Sequence, residues 1–462
     1  VTSLLDATHL VVGAGATGLA FADALVDHSD ARVVLVDRRS GPGGHWREAY
    51  PFVRLHQSSA FYGVPSTLLG GGRLQDTGPE AGLQERASQT EIVGYYERAL
   101  ARLEATGRVQ LLTGTEHVDG EVVSLDTGER TAVPPGCRVV DAHYLAPTIP
   151  AEVPPPFAVD GAHVVPVNDL ARLADSPSQY VVVGSGKTAT DAIVWLLQGG
   201  TDPDTIRWVR PREPWMFNRA VVQPDPAIFL GMAADVWESA ARASSLDDMF
   251  LRLEDAGVML RIDRTLTPTM ARAPTIGQWE VDLLRTVEDV VRLGHVRSAE
   301  RGRLVMDGGA AAIADDALVV HCAASGLQMP PLVPVWRPEV ITLQPIRAGF
   351  PCFGAALIGY VEATRRDDAE KNRLCPPSHY GNTLADWVEM NLLGSRATAA
   401  FTSEPDVKAW AESVALYPGR VTPDHASSPA LDAARERLAA YARPGTERAV
   451  ELVDHARRSP RP

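Results

Sequence analysis

A glycine-rich turn set between an apolar strand and an apolar helix constrains this chain more than any other feature, because it occurs twice. The first copy begins with the apolar run His9-Leu10-Val11-Val12, suited to a buried parallel strand. It continues through Gly13-Ala14-Gly15-Ala16-Thr17-Gly18 into an apolar helix ending near Asp27. A second apolar run, Arg32-Val33-Val34-Leu35-Val36, closes on Asp37. Strand, glycines, helix, strand and terminal acid in this order form a dinucleotide-binding unit. Gly13 allows the tight turn, Gly15 lets the backbone approach a pyrophosphate at the helix N-terminus, and Gly18 lets the helix pack closely on the strand. Asp37 stands where such units place the acid that accepts from a ribose hydroxyl.

The second copy runs Tyr180-Val181-Val182-Val183, then Gly184-Ser185-Gly186-Lys187-Thr188-Ala189, a helix through Leu197 and a strand Ile206 to Val209. Here the strand ends in Arg210-Pro211-Arg212 instead of an acid. An acid would repel a 2′-phosphate and arginine would bind it, so this copy reads as an NADP site. Gly184, Gly186, Lys187, Thr188, Arg210 and Arg212 are its expected contacts. Lys187-Thr188 imitates a P-loop, but Val181 occupies the position where that motif needs glycine.

A chain with two dinucleotide sites is an α/β protein, and its composition fits a soluble enzyme. The net charge of −14 argues against nucleic acid as a partner, and a 45% hydrophobic content argues against large-scale disorder. Cys137, Cys322, Cys352 and Cys375 form no CxxC or CxxxxC pair, which excludes a dithiol centre or a zinc knuckle. Cys375-Pro-Pro-Ser-His379 has a tolerable metal spacing but no second pair, so no metal is expected. The N-terminal apolar stretch lacks a basic lead and is broken by glycines, so neither a signal peptide nor a membrane span is expected and the reading is cytoplasmic. Lysine occurs only at positions 187, 371 and 408, an arginine bias typical of high-GC bacterial coding.

Gly43-Gly44-His45-Trp46 follows directly on the first unit, then Tyr50-Pro51-Phe52-Val53-Arg54 and His56-Gln57-Ser58-Ser59-Ala60-Phe61-Tyr62. With this segment the chain resembles class B flavoprotein monooxygenases, the flavin-containing and Baeyer–Villiger enzymes, which carry GGxW, YPxxR and then a polar residue, Ser and Tyr after an FAD-binding GxGxxG. Disulfide reductases share the two-nucleotide architecture but carry a CxxxxC pair here. The resemblance covers most of residues 8–360. Arg210-Pro-Arg-Glu-Pro-Trp215 with Asn218-Arg219 is similar to the arginine-rich stretch after the family's NADPH unit, and Asp191 stands where many flavin-containing members have Asp. The segment 319–326, ending in Gly326, is similar to the family's ATG return, which makes His321 and Cys322 strand residues. Two positions depart from the pattern. The linker signature survives only as Phe157 to Pro166 with altered spacing, and His56 replaces the Asp or Asn of the two subgroups.

The resemblance implies two Rossmann-like domains. The FAD-binding domain is discontinuous, with its first part at 1–155. An NADPH-binding domain at 156–326 is inserted in it and carries a mainly helical insert at 222–300 with helices ending at Gly257 and Gly294. The second part of the FAD domain and a helical C-terminal region occupy 327–462. Strands are expected to resume over 340–360, a connecting helix over 89–106 and a β-meander over 108–141, and the Arg/Pro-rich tail is expected to be loose. The resemblance also implies that Gly44, Trp46, Ser59 and Tyr62 join Gly13, Gly15, Gly18 and Asp37 around FAD.

Holding FAD and NADPH, such a chain passes hydride to flavin, and with no cysteine pair or metal cluster as acceptor the electrons go to molecular oxygen. The resulting C4a-hydroperoxide oxygenates an amine when protonated and a ketone when deprotonated. His56, which titrates near neutral pH when unperturbed, is the first catalytic candidate, with Arg54 and Gln57 beside it. Gln344 and Arg347 return near the flavin edge by chain order alone. The expected function is N-hydroxylation of a small bacterial metabolite in secondary metabolism, with the small-molecule substrate and oxygen as partners and a homo-oligomer left open. Baeyer–Villiger oxygenation, a non-oxygenating flavin oxidoreductase or oxidase, and a nucleotide-sensing binding protein are the alternatives.

Overall fold

The computed structural model describes residues 4–324, 326–422, 425 and 428–458. Residues 459–462, at the end of the Arg/Pro-rich tail, lie outside the described residues. Two five-stranded parallel sheets organise the chain. In the first, the strand His9–Val12 lies between Val33–Asp37 and Arg138–Asp141; Val109–Thr113 extends one side and Val340–Thr342 the other. The first sheet therefore draws its last strand from beyond the second, which is the discontinuity expected from sequence. Helix α1 (Ala16–His28) follows the first glycine turn, and α2 (Gln89–Glu104) is the connecting helix. A capping box of Ser88 and Glu91 starts α2, and Gly107 at φ 71° follows its end. Only residues 115–132 of the expected meander form an antiparallel unit, because the strands on either side of it join the parallel sheet.

The second sheet has the order His163–Pro166, Leu318–His321, Tyr180–Val183, Ile206–Val209, Val290–Val291. Helix α3 (Lys187–Gln198) follows its glycine turn. In both sheets the turn leaves the strand at which the order reverses, the position where α/β sheets open a crevice for ligands. His321 is a buried strand residue, as the sequence reading expects, but the strand ends there and buried Cys322 lies one position past it.

The insert is less helical than expected. It contains α4 (Pro226–Arg242) and α5 (Leu246–Asp255), but Pro214–Asn218, Met259–Leu260 and Met270–Ile276 pair in a small sheet. Helix α6 (Gln278–Leu284) follows, and Val290–Val291 is the edge strand of the second parallel sheet, paired with Trp208 and Val209. No helix ends at Gly294. The local periodicity there is ambiguous, and pairing with an open sheet edge decides it.

The expectation of strands over 340–360 holds only for Val340–Thr342. Residues 351–364 form α7 (Pro351–Thr364), buried almost throughout. A continuous apolar run reads equally as buried strand or buried helix; Pro351 in the first turn and close packing on α1 select the helix. A Cβ at Gly359 would meet the Phe21 carbonyl of α1 well inside contact distance. Helices α8 (Asp368–Leu374), α9 (Leu384–Thr402), α10 (Pro405–Ser413) and α11 (Pro429–Arg458) complete the chain, and α11 packs along α4 where Gly445 meets the Trp237 carbonyl.

Gly359→Ala is expected to lower stability by about 1–3 kcal/mol through overpacking of α1 on α7. Gly231→Ala, in α4 with open space around the new methyl, should be neutral or stabilising by up to about 1 kcal/mol. Urea denaturation of both variants measures the contrast, and equal effects would contradict the close helix contact.

Candidate active site

Each glycine turn delivers a helix N-terminus that no side chain caps and whose first turn holds no acid. Backbone N–H groups and the positive end of the helix dipole there suit a phosphate. In the first turn Gly13 has φ 111°, and the His143 ring lies 2.9 Å from where its Cβ would sit. A Cβ on Gly18 would strike the Gly13 carbonyl. Gly43 N–H bonds Ala14 O at 2.9 Å, and a Cβ on Gly44 would lie 3.0 Å from the Gly15 Cα, so this second glycine pair closes against the turn. In the second turn a Cβ on Gly186 would meet nothing within 4 Å, which leaves an open cradle over α3. Both turns fit a dinucleotide pyrophosphate.

The acid and the arginines behind these turns are more constrained than the sequence suggested. Asp37 is buried; its two carboxylate oxygens accept the Ala14 and Arg39 N–H groups, each at 2.9 Å. It braces the turn and keeps further lone pairs for a ribose hydroxyl. Arg210 is buried over the Trp208 ring at 4.5 Å, with Nε on Glu213 at 2.9 Å and a buried Nη1 that has no partner. That orphaned donor fits a 2′-phosphate oxygen. Arg212 is exposed. Lys187 turns away from this end and forms ion pairs with Asp191 and Glu280. Thr188 lies beside Tyr50, and Gly326 pairs with Thr148 across the two connections between the sheets.

Residues 46–62 lie against the second sheet's elements. Tyr50 Oη donates to Asp191 Oδ2 at 2.8 Å, Phe52 stacks on Trp195 at 4.8 Å, and Asn168 Nδ2 donates to Glu48 O at 2.7 Å. His56 is held by its backbone and its ring: its carbonyl accepts from Arg219 Nε at 2.8 Å and from Thr275 Oγ1, and its Nδ1 accepts the Thr275 N–H at 3.3 Å. Nε2 is therefore the protonated nitrogen of the neutral ring, and among the described residues it has no partner. Burial, with Lys187, Arg219 and Arg86 nearby, lowers the His56 pKa to about 3. The expectation of a histidine titrating near neutrality is corrected: this ring is neutral throughout the physiological range.

The remaining candidates separate. Gln57 is buried, and its side chain forms no hydrogen bond to the described residues. Arg54 is exposed and donates to Arg86 O at 3.1 Å, away from His56. Ser59 Oγ accepts the Ala87 N–H at 2.8 Å, and Trp46 Nε1 donates to the buried Tyr62 Oη at 2.6 Å; these three side chains brace the fold of the segment. Gln344 is committed to both backbone groups of Val333.

Sequence reasoning did not find Glu80, Arg86, Thr275 and Glu280, which surround Arg219 and His56. Arg219 is fully buried between Glu80 and Glu280, and Glu80 also takes Arg86 and the Trp279 indole. Burial opposes ionisation of both carboxyls, but Arg86 and Arg219 bring Glu80 to about 2, and Lys187 and Arg219 bring Glu280 to about 2. The one signal in the sequence was Glu280 at the third position of a helix start, which marks a cap and not an ion pair.

Stability should fall as pH drops from about 6.5 towards 4. In that window unfolded histidine takes up a proton that folded His56, at about 3, and His45, lowered by burial and Arg39 to about 4, refuse. Glu80 and Glu280 add a loss below about 4.5. Thermal melts across pH should show a shallower slope between 6.5 and 4 for His56→Gln; an unchanged slope would mean that His56 charges freely in the fold.

The family model described as an NAD(P)-binding Rossmann-like domain matches residues 11–64. The chain is 40% identical over 418 residues to the uncharacterized protein Rv2000 of Mycobacterium tuberculosis, covering 89% of this chain and 78% of that one. Among solved structures, cyclohexanone monooxygenase bound to ε-caprolactone superposes with a TM-score of 0.49 at 15% identity, over 88% of this chain and 98% of the other. Oxidized steroid monooxygenase bound to NADP gives 0.49 at 14% identity, over 79% and 86%.

Proposed function

The chain belongs to the family of the mycobacterial protein Rv2000, and we propose that it is an FAD- and NADPH-dependent monooxygenase that hydroxylates nitrogen in a small metabolite. The observation that carries this reading is the seating of residues 46–62, the segment that resembles the flavin-adjacent stretch of class B monooxygenases, against elements of the second nucleotide unit. A redox cofactor on the first turn and a nicotinamide on the second would then meet across that segment. Gly13, Gly15, Gly18, Asp37 and Gly44 would hold FAD. Gly184, Gly186, Thr188, Arg210 and Arg212 would hold NADPH. Bound there, FAD reduced by NADPH supplies the two electrons that activate molecular oxygen.

The chain's own contribution is electrostatic and steric. His56, kept neutral, offers one Nε2–H donor at fixed orientation and cannot act as a cationic acid. This single N–H can orient an acceptor atom beside the segment but cannot pass on a proton as an imidazolium would. Buried Gln57 supplies a second polar group beside it, and the stack of Phe52 on Trp195, with Tyr50 against Asp191, closes the segment towards water.

The purified protein is expected to release FAD on denaturation, to be bleached anaerobically by NADPH faster than by NADH, and to reoxidise in oxygenated buffer. Arg210→Ala should raise the KM for NADPH by roughly ten- to a hundredfold with little change for NADH, as loss of a charged hydrogen bond predicts. Absence of bleaching by either nucleotide would overturn the reading, and equal KM effects would remove Arg210 from the 2′-phosphate.

A further inference from the structure

Arg347 stands in the loop before α7, and among the described residues its guanidinium has no counter-ion. Among the described residues it forms no ion pair and no side-chain hydrogen bond. Around it stand the face of Phe229 in α4, with the guanidinium carbon 5.9 Å from the ring centre, Gly394 in α9, where a Cβ would lie 3.0 Å from Nη1, and Tyr417, whose phenol favours the charged guanidinium but is itself neutral. Burial lowers its pKa from the ordinary arginine value. Arg347 is half-buried, whereas Arg219 and Arg210, which are buried, both have carboxylate partners. Arginine cannot escape desolvation by shedding its proton, and one aromatic face compensates only part of the cost, so such a group calls for an anion.

The wall around Arg347 joins the reacting segment to the insert. Phe350, whose N–H bonds Arg347 O at 3.0 Å, packs on Phe61 at 5.1 Å and on Phe229 at 5.7 Å between ring centres. Phe61 belongs to the segment that carries His56, and Phe229 to a helix outside both parallel sheets. The phosphates of two dinucleotides are provided for at the uncapped starts of α1 and α3, and the neighbours named here for Arg347 belong to neither turn.

We infer that Arg347 binds a carboxylate on the substrate, whose apolar body lies against Phe61, Phe229 and Phe350. This rests on the monooxygenase reading for the meaning of substrate, and makes the enzyme selective for organic acids that carry an oxidisable nitrogen. Gly394 is part of the device, since any side chain there would displace the guanidinium.

Isothermal titration of the FAD-loaded protein with benzoate and with benzamide tests it without turnover. Wild type should bind benzoate roughly ten- to a hundredfold more tightly than the neutral amide, the ratio that one charged hydrogen bond gives. Arg347→Met should abolish the preference while keeping FAD content and the rate of bleaching by NADPH. Arg347→Lys, which preserves the charge if the methionine variant does not fold, should retain part of it, and Gly394→Ala should weaken benzoate alone. Equal binding of the two probes by wild type overturns the inference. So does loss of FAD from a folded Arg347→Met, which would give the guanidinium to the cofactor. An anion preference in a protein that NADPH does not bleach would uphold the carboxylate site and overturn the monooxygenase reading instead.

Discussion

The buried guanidinium of Arg219 ties the two nucleotide-binding halves together, and the geometry of the candidate site depends on it. It holds Glu80, from the loop ahead of α2, and Glu280, at the start of α6, and it donates to the backbone carbonyl of His56. Burying a guanidinium and two carboxylates costs several kcal/mol per ion, and only paired, fully hydrogen-bonded geometry offsets that. Arg86 and Lys187 extend the pairing to both sides, so the network is satisfied only when both halves are in register. Removing one member would leave an uncompensated charge, which makes the arrangement specific as well as stabilising.

The same charges define what His56 can do. Burial first, and then three nearby cations, favour the neutral imidazole, and the Thr275 N–H fixes which nitrogen carries the proton. A residue type that suggests acid–base chemistry thus becomes a fixed neutral donor. The surrounding fold supplies this through Thr275 and Arg219, both from the region between the strands of the second sheet.

Legibility in the sequence followed the range of the interactions involved. Both glycine turns, the helices after them, the helix over 89–104 and the discontinuous first sheet were readable, because strand periodicity, glycine geometry and caps act within a few residues of one another. The helix over 351–364 was misread as strand since an all-apolar run has no face to give a period. Gly294 was misread as a helix end because Val290–Val291 becomes a strand only through its neighbour in the sheet. Within the candidate site the local pattern pointed to His56, Gln57 and Arg54 as catalytic and to Ser59 and Lys187 as cofactor contacts; what it could not show is that the Arg54 and Ser59 side chains bond the backbone and that Lys187 sits in an ion-pair network.

By itself the sequence determined that this chain builds two dinucleotide-binding units, since a turn needing φ 111° at Gly13 and a helix start stripped of caps are written in consecutive residues. Only the tertiary structure decided the protonation of His56, the pairing of Glu80 with Arg219 across 139 positions, and the lack of a counter-ion for Arg347 among the described residues. The physical reason is that desolvation and Coulomb interaction depend on distance in space and on local dielectric, and neither is encoded by spacing along the chain.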